Sequence, residues 1–358
     1  MVVLFMFKPK FFSILVIFLM VFSSVGSASA TAISGNVNDS HEIVVDDPTI
    51  IKIQKAVNSA KDNDIILIKG DSKDIGIINC SKILTIKGEN CTLKCVRWHS
   101  SENINFENIN FENRGLECRR DSIIVSDGSV TISNCTCRSE ASCNGGVICS
   151  DGSVTISNCL FDGCHASWGC GGAIYSDDSV TISNSNFTKC FACGSVTGDG
   201  KGGAIYANND VNVEGSSFCR CTVDEAEGVL DLSTPQGGAI YSDDGSVVLK
   251  NSRFTDNSAY KDGGAIYADN EVIVQDCLFG SNTVDWGCGG AIYADDMDVK
   301  ISNSKFTGNS AYDDGGAIWS NEGVNVDSCS FVNNSASVGL SKCEGGAIYS
   351  DDYDVKLI

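Results

Sequence analysis

Gly289-Gly290-Ala291-Ile292-Tyr293-Ala294-Asp295-Asp296, followed by Val299-Lys300-Ile301, Asn303, Phe306 and Asn309, is the stretch that decides the fold. It recurs. Gly-Gly followed by Ala or Val and then Ile starts at Gly145, Gly171, Gly202, Gly237, Gly263, Gly289, Gly315 and Gly345, at intervals of 26, 31, 35, 26, 26, 26 and 30 residues. A base module of 26 residues copied along one axis is a solenoid.

The columns of the module align by eye. Val180-Thr181-Ile182, Val211-Asn212-Val213, Val272-Ile273-Val274, Val299-Lys300-Ile301 and Val324-Asn325-Val326 alternate apolar and variable residues, the period of a strand with one buried face. Asn134, Asn158, Asn184, Asn251 and Asn303 follow. Asn tolerates left-handed backbone, so this column predicts a corner with a stacked amide ladder. Beyond it the phase shifts by one, and a Ser/Cys column and a Phe column are expected to face inward together: Ser185 with Phe187, Ser252 with Phe254, Cys277 with Phe279, Cys329 with Phe331. Asn257, Asn282, Asn309 and Asn334 lie three residues past a Phe.

Short strands joined by polar corners predict an all-β chain, a parallel β-helix solenoid. Three short strands per coil are expected, and like residues should stack about 4.8 Å apart. The doubled glycine suits a bend at positive φ with no room for a side chain. Strand alternation excludes an α-solenoid, and the leucine signature of leucine-rich repeats is absent.

Working outward, residues 62–126 read as less regular coils, with Ile65-Ile66-Leu67-Ile68, Ile83-Leu84-Thr85-Ile86, Ile104-Asn105-Phe106 and Ile109-Asn110-Phe111. Before them Ile50, Ile53, Ala56, Val57 and Ala60 share one helical face, predicting a helix that caps the first coil. At the start, Lys8 and Lys10 precede an apolar run over 11–22, and Ala28-Ser29-Ala30 is a small-residue cleavage site. This is the pattern of a signal peptide. The expected organisation is therefore a signal peptide at 1–30, an N-terminal segment with the capping helix at 31–61, irregular coils at 62–126 and regular coils at 127–358. The sequence stops at Val355-Lys356-Leu357-Ile358 inside an expected strand, so the chain reads as a piece of a longer protein.

Export accounts for the nineteen cysteines, which a reducing cytosol would rarely carry. A net charge of -21 argues against nucleic-acid binding, which needs cations to neutralise phosphates. A membrane association would need an anchor that these residues do not supply.

Gly-Gly-Ala-Ile with Phe-x-x-Asn resembles the paired repeat motifs of the chlamydial polymorphic outer-membrane proteins. It is also similar to the adhesin-like surface proteins of methanogenic archaea. The resemblance covers about residues 48–358 and implies a right-handed, pectin-lyase-like β-helix displayed at a cell surface or envelope. Two departures stand out: the membrane barrel that ends the chlamydial family is missing, and Phe-x-x-Asn becomes Phe-x-x-Cys at Cys164, Cys190 and Cys221.

Candidate chemistry is thin. Asp151, Asp177, Asp243, Asp269, Asp295 and Asp351 sit six residues after a Gly-Gly start, with Asn208 and Asn321 in the same column. Paired carboxylates can act as acid and base, but a column repeated along the whole axis reads as turn residues. No catalytic, metal or cofactor residue is assigned; weak cation binding along the Asp ladder is the one cofactor-like property expected. His41, His99 and His165 stand isolated and read as solvated, and Arg119-Arg120 as surface. Loop cysteines are freer to pair than core ones, and Cys170 with Cys143 or Cys193 is the favoured disulfide.

The most informative feature is where length varies. Insertions fall just before the Gly-Gly, in 165–170, 191–201, 222–236, 258–262, 283–288, 310–314 and 335–344. Coil periodicity puts them on one edge, the expected binding face of a repeat rod. That edge carries Trp168, Tyr260, Trp286 and Tyr312. The expectation is a secreted or cell-surface, non-catalytic, adhesin-like protein that binds a glycan or protein partner. A polysaccharide lyase or hydrolase on the same fold, and a structural envelope component, are the alternatives.

Overall fold

The computed structural model of the protein describes residues 40–114, 121–194, 200–225, 234–337 and 343–358. The predicted signal peptide, the start of the segment 31–61, and Arg119 and Arg120 lie outside these residues.

The coil that begins at Gly289 shows the plan. Ile292–Ala294, Val299–Ser302, Lys305–Thr307 and Ser310–Ala311 are strands. Each pairs in parallel with its counterpart one coil on: Ile292 with Ile318, Val299 with Val324, Phe306 with Phe331 and Ser310 with Ser335. Four parallel columns of strands thus close a tube, a parallel β-helix. The coil has four short segments where three were expected. The fourth, Ser-Ala or Thr-Val, opens the stretch that the sequence presents as variable loop. It forms because its small apolar residue turns inward: Ala259, Val284 and Ala311 are buried.

The tube interior is filled by like residues stacked on like. Phe161, Phe187, Phe218, Phe254, Phe279, Phe306 and Phe331 form one ladder, with ring centroids 4.5–5.0 Å apart. Cys137 occupies the same column one coil before Phe161. Coil-to-coil stacking at the strand spacing dictates this geometry.

The corners are built from side chains as well as backbone. Asn134, Asn158, Asn184, Asn251 and Asn303 all have φ between 47° and 52°, the left-handed corner expected. Their side chains are exposed. The hydrogen-bonded amide ladder runs instead through the Phe-x-x-Asn column, which is buried. Asn257 Nδ2 donates to Asn282 Oδ1, Asn282 to Asn309 and Asn309 to Asn334, each at 2.9 Å. The reason is burial: an interior corner leaves backbone groups away from water, and they must be paired. Each amide Nδ2 also reaches a Phe carbonyl in the coil before, as Asn257 does to Phe218 at 3.2 Å. Where Cys replaces Asn, the thiol takes that role: Cys221 Sγ lies 3.7 Å from Phe187 O, and Cys164 Sγ 3.4 Å from Cys137 O.

The Ser/Cys column follows the same logic. Ser185 N–H donates to Ser216 Oγ at 3.0 Å, and Ser252 N–H to Cys277 Sγ at 3.4 Å. A small side chain with an acceptor atom is required there, and both Ser and Cys meet it.

At the N-terminal end α1, Ile50–Ser59, covers the first coils with Ile53, Ala56 and Val57. Thr49 caps it by accepting Lys52 N–H at 3.3 Å. Lys82 Nζ caps its other end, donating to the carbonyls of Val57, Asn58 and Ala60. Gln54 acts as a substitute strand: its Nε2 donates to Asn79 O and its Oε1 accepts from Asn79 N–H, at 2.9 and 2.8 Å. Glu42–Asp46, inside the expected N-terminal segment, is already a strand paired with Ile65–Lys69.

Candidate functional site

The corner between the Ser-Ala segments and the Gly-Gly bends carries the inserted loops, as the spacing of the repeat implies. Trp286 N–H donates to Tyr260 O at 2.8 Å, which fixes the two loops to one another across neighbouring coils. The Trp286 ring lies 4.7 Å from the Tyr312 ring, tilted by 41°. Tyr260, Trp286 and Tyr312 therefore come from three successive coils to one strip. Trp168 belongs to a coil four repeats earlier, about 19 Å along the axis at the strand spacing. Trp168 is 63 % exposed and Trp286 52 % exposed. Neither indole folds back to seal the corner, and Tyr260 and Tyr312 are half-buried.

A second cluster lies outside the tube. Tyr206, Tyr241 and Tyr267 are buried outside the tube, with Cys170, Tyr175 and Tyr293 packed against them. These rings form a second ladder with Trp319; centroids are 4.8, 5.6, 4.7, 5.0 and 4.2 Å apart from Tyr175 onward. The signal for it is in the repeat itself, the Tyr that follows Gly-Gly-Ala-Ile.

The Asp column runs beside this ladder. Tyr267 Oη donates to Asp295 Oδ2 at 3.1 Å, and Tyr293 Oη to Asp295 Oδ1 at 3.3 Å. Lys201 Nζ donates to Tyr241 Oη at 2.7 Å and to Asp243 Oδ1 at 3.2 Å. Asp269, half-buried and flanked by Asp243 and Asp295, has its carboxyl pushed up to about 6, first by burial and then by those two neighbours. Asp262 is also raised by burial, while Cys288 N–H and Gln236 Nε2 donate to it at 2.9 and 3.1 Å. Within the column, Asp295 is thus held by two tyrosine hydroxyls and Asp243 by the Lys201 ammonium. Among the described residues no group of three or more His, Cys, Asp or Glu is arranged to hold a metal ion.

Cys143, Cys170 and Cys193 are half-buried at the loop-bearing edge. Cys143 Sγ is 3.4 Å from Ser122 Oγ, Cys193 Sγ donates to Glu225 O at 3.3 Å, and Cys170 packs on the tyrosine cluster. Cys95 is disulfide-bonded. In the core, burial holds the thiols of Cys137, Cys190 and Cys221 well above their ordinary range.

The histidines divide. His165 stacks edge-on against Phe191, with centroids 5.8 Å apart. His99 is not a solvated side chain as the sequence suggests: its Nε2 is buried and has no hydrogen-bond partner.

Coil stacking, interior ladders and a single loop-bearing edge define a β-solenoid rod. The chain belongs to the right-handed β-helix family, whose model, described as the right handed beta helix region, matches residues 94–279 and 237–350. No curated protein matches the chain. No helix among the described residues is long and apolar enough to cross a membrane.

Proposed function

We propose that this chain is a secreted or cell-surface, non-catalytic, adhesin-like rod that binds a glycan or protein partner along its loop-bearing edge. The observation that carries this reading is the exposure of Trp286 beside Tyr312. Indole and phenol rings held at an exposed edge by backbone hydrogen bonds lose little entropy on binding, which is why aromatic residues dominate binding surfaces. Trp168, about 19 Å away, extends the strip to a length that suits a polymer or a protein surface. The acidic surface disfavours nucleic acid. The likeness of the Gly-Gly-Ala-Ile and Phe-x-x-Asn motifs to chlamydial and archaeal surface proteins supports the same reading.

The test is retention on arrays of cell-surface glycans and on whole cells. Wild type is expected to be retained, and Trp286→Ala with Tyr312→Ala to lose that retention while keeping the folded spectrum. Cleavage of an acidic polysaccharide by the purified chain would instead identify an enzyme. Ordered end-to-end assembly with no retention would identify a structural component.

A further inference from the structure

The fourth segment of each coil ends on a column that leaves the interior. Val223, Ala259, Val284 and Ala311 are buried in successive coils. The residue after each lies outside: Asp224, Tyr260, Asp285 and Tyr312. Carboxylate and phenol therefore alternate along the edge, one coil per step, about 4.8 Å. Trp286 follows Asp285, and its ring lies against Tyr312. Asp224, Asp285 and Trp286 are exposed.

Charge decides what fits this strip. Segments 258–262, 283–288 and 310–314 carry Asp262, Asp285, Asp313 and Asp314 against one cation, Lys261. The Lys261 charge acts on Asp262. Asp285 has another carboxylate as its charged neighbour: burial and then the Asp224 charge hold its carboxyl above the ordinary range. Asp285 and Trp286 are adjacent and exposed, so a partner that covers the indole also covers the carboxylate. An anionic partner would add repulsion. A neutral sugar could donate hydroxyls to the carboxylate, but by expelling water it would strengthen the repulsion from Asp224. A guanidinium or ammonium removes that repulsion, pairs with the carboxylate and stacks on the indole face.

We infer that the edge binds a basic protein segment, through Arg or Lys side chains that contact the Asp285 carboxylate and the Trp286 indole. The inference rests on the loop-bearing edge being the binding face, and it narrows glycan or protein to one partner chemistry.

The full chain is titrated against a fluorescein-labelled Arg-Gly-Ser repeat dodecapeptide and read by anisotropy. Gln-Gly-Ser and Glu-Gly-Ser repeats serve as neutral and anionic probes. The Arg peptide is expected to bind with saturation, and the other two not to bind. An acidic protein attracts any cationic peptide, so the variants decide. Asp285→Asn and Trp286→Ala, both at exposed positions, are each expected to weaken the Arg peptide at least about fivefold. Asp276→Asn removes the same charge at an exposed corner away from the edge, and puts there the residue its column carries at Asn251 and Asn303. It is expected to leave the affinity unchanged. The inference is overturned if the Arg peptide does not bind, if the Gln peptide binds as tightly, or if Asp276→Asn weakens binding as much as Asp285→Asn. Any of these beside retention on cells that Trp286→Ala with Tyr312→Ala abolishes would leave the edge as the binding face and remove only the basic partner. Wild-type retention of that double variant would remove the binding face itself.

Discussion

Asn282 and Asn309 are joined by a fork: the side-chain Nδ2 of Asn282, at 2.9 Å, and its backbone N–H, at 3.0 Å, both donate to Asn309 Oδ1. The same fork repeats from Asn257 to Asn282 and from Asn309 to Asn334. One buried amide therefore serves two coils. The rod is tied along its axis by side chains as well as by strand pairing.

Asn282→Leu should break this tie in both directions. It leaves the backbone N–H and side-chain Nδ2 of Asn257 without their acceptor, and Phe254 O without the 3.1 Å bond it accepts. Each orphaned buried group costs about 1–3 kcal/mol. Asn282→Cys should cost less, because Cys221 in the same column already supplies a donor to the preceding Phe carbonyl. Urea melts followed by circular dichroism should place the midpoints in the order wild type, Cys variant, Leu variant.

The glycines divide into two kinds. Gly263 has φ of 68°, and a Cβ there would sit 2.2 Å from Ile266 O. Gly263→Ala should destabilise the rod by more than about 2 kcal/mol, from backbone strain and overlap together. Gly280, in the strand Leu278–Gly280, would bring its Cβ no closer than 3.6 Å to Thr255 Cγ2. Gly280→Ala should be neutral or stabilising by about 0.4–1 kcal/mol. Thermal melts of the two variants check the contrast.

Asp269 sets a pH dependence. Its folded value of about 6 lies above the unfolded Asp value of about 3.9. The folded state therefore holds the proton more tightly, and stability falls as pH rises through roughly 4 to 6. Above that window the charged carboxylate is a standing liability between Asp243 and Asp295. Asp269→Asn should raise the melting temperature at pH 7 relative to wild type, and the difference should vanish near pH 4. A gain that persists unchanged at pH 4 would show that ionisation of Asp269 in its half-buried site is not its source.

The regular coils were legible because every column repeats: the left-handed Asn corners, the inward Phe and the loop-bearing edge follow from the spacing alone. Two things were not. The Ser310–Ala311 type of segment was hidden because two residues give no periodicity. The alternation of Asp224 and Asp285 with Tyr260 and Tyr312 was hidden with it, because those residues align only once the short segments before them pair in register. The amide ladder was assigned to the exposed Asn corner instead of the buried Phe-x-x-Asn column, because both columns recur along the axis and burial alone separates them.

The core cysteines give the last prediction. Cys137, Cys164, Cys190 and Cys221 are buried; Cys137 sits in the Phe column, and Cys164 and Cys221 donate to carbonyls of the coil before. Burial disfavours the thiolate, the reactive species, at Cys137, Cys190 and Cys221, and it shuts reagent out of all four. Maleimide should leave all four unmodified in the native protein and modify them once urea unfolds it. Cys149, half-buried on the outer face, also has its thiol pushed up to about 12. Its labelling should therefore be slow at pH 7 and accelerate with pH, while the core four stay inert at both. Peptide mapping by mass spectrometry distinguishes these sites. Native modification of Cys221 at pH 7 would mean that the column is held open and that the thiol does not stand in for the asparagine amide.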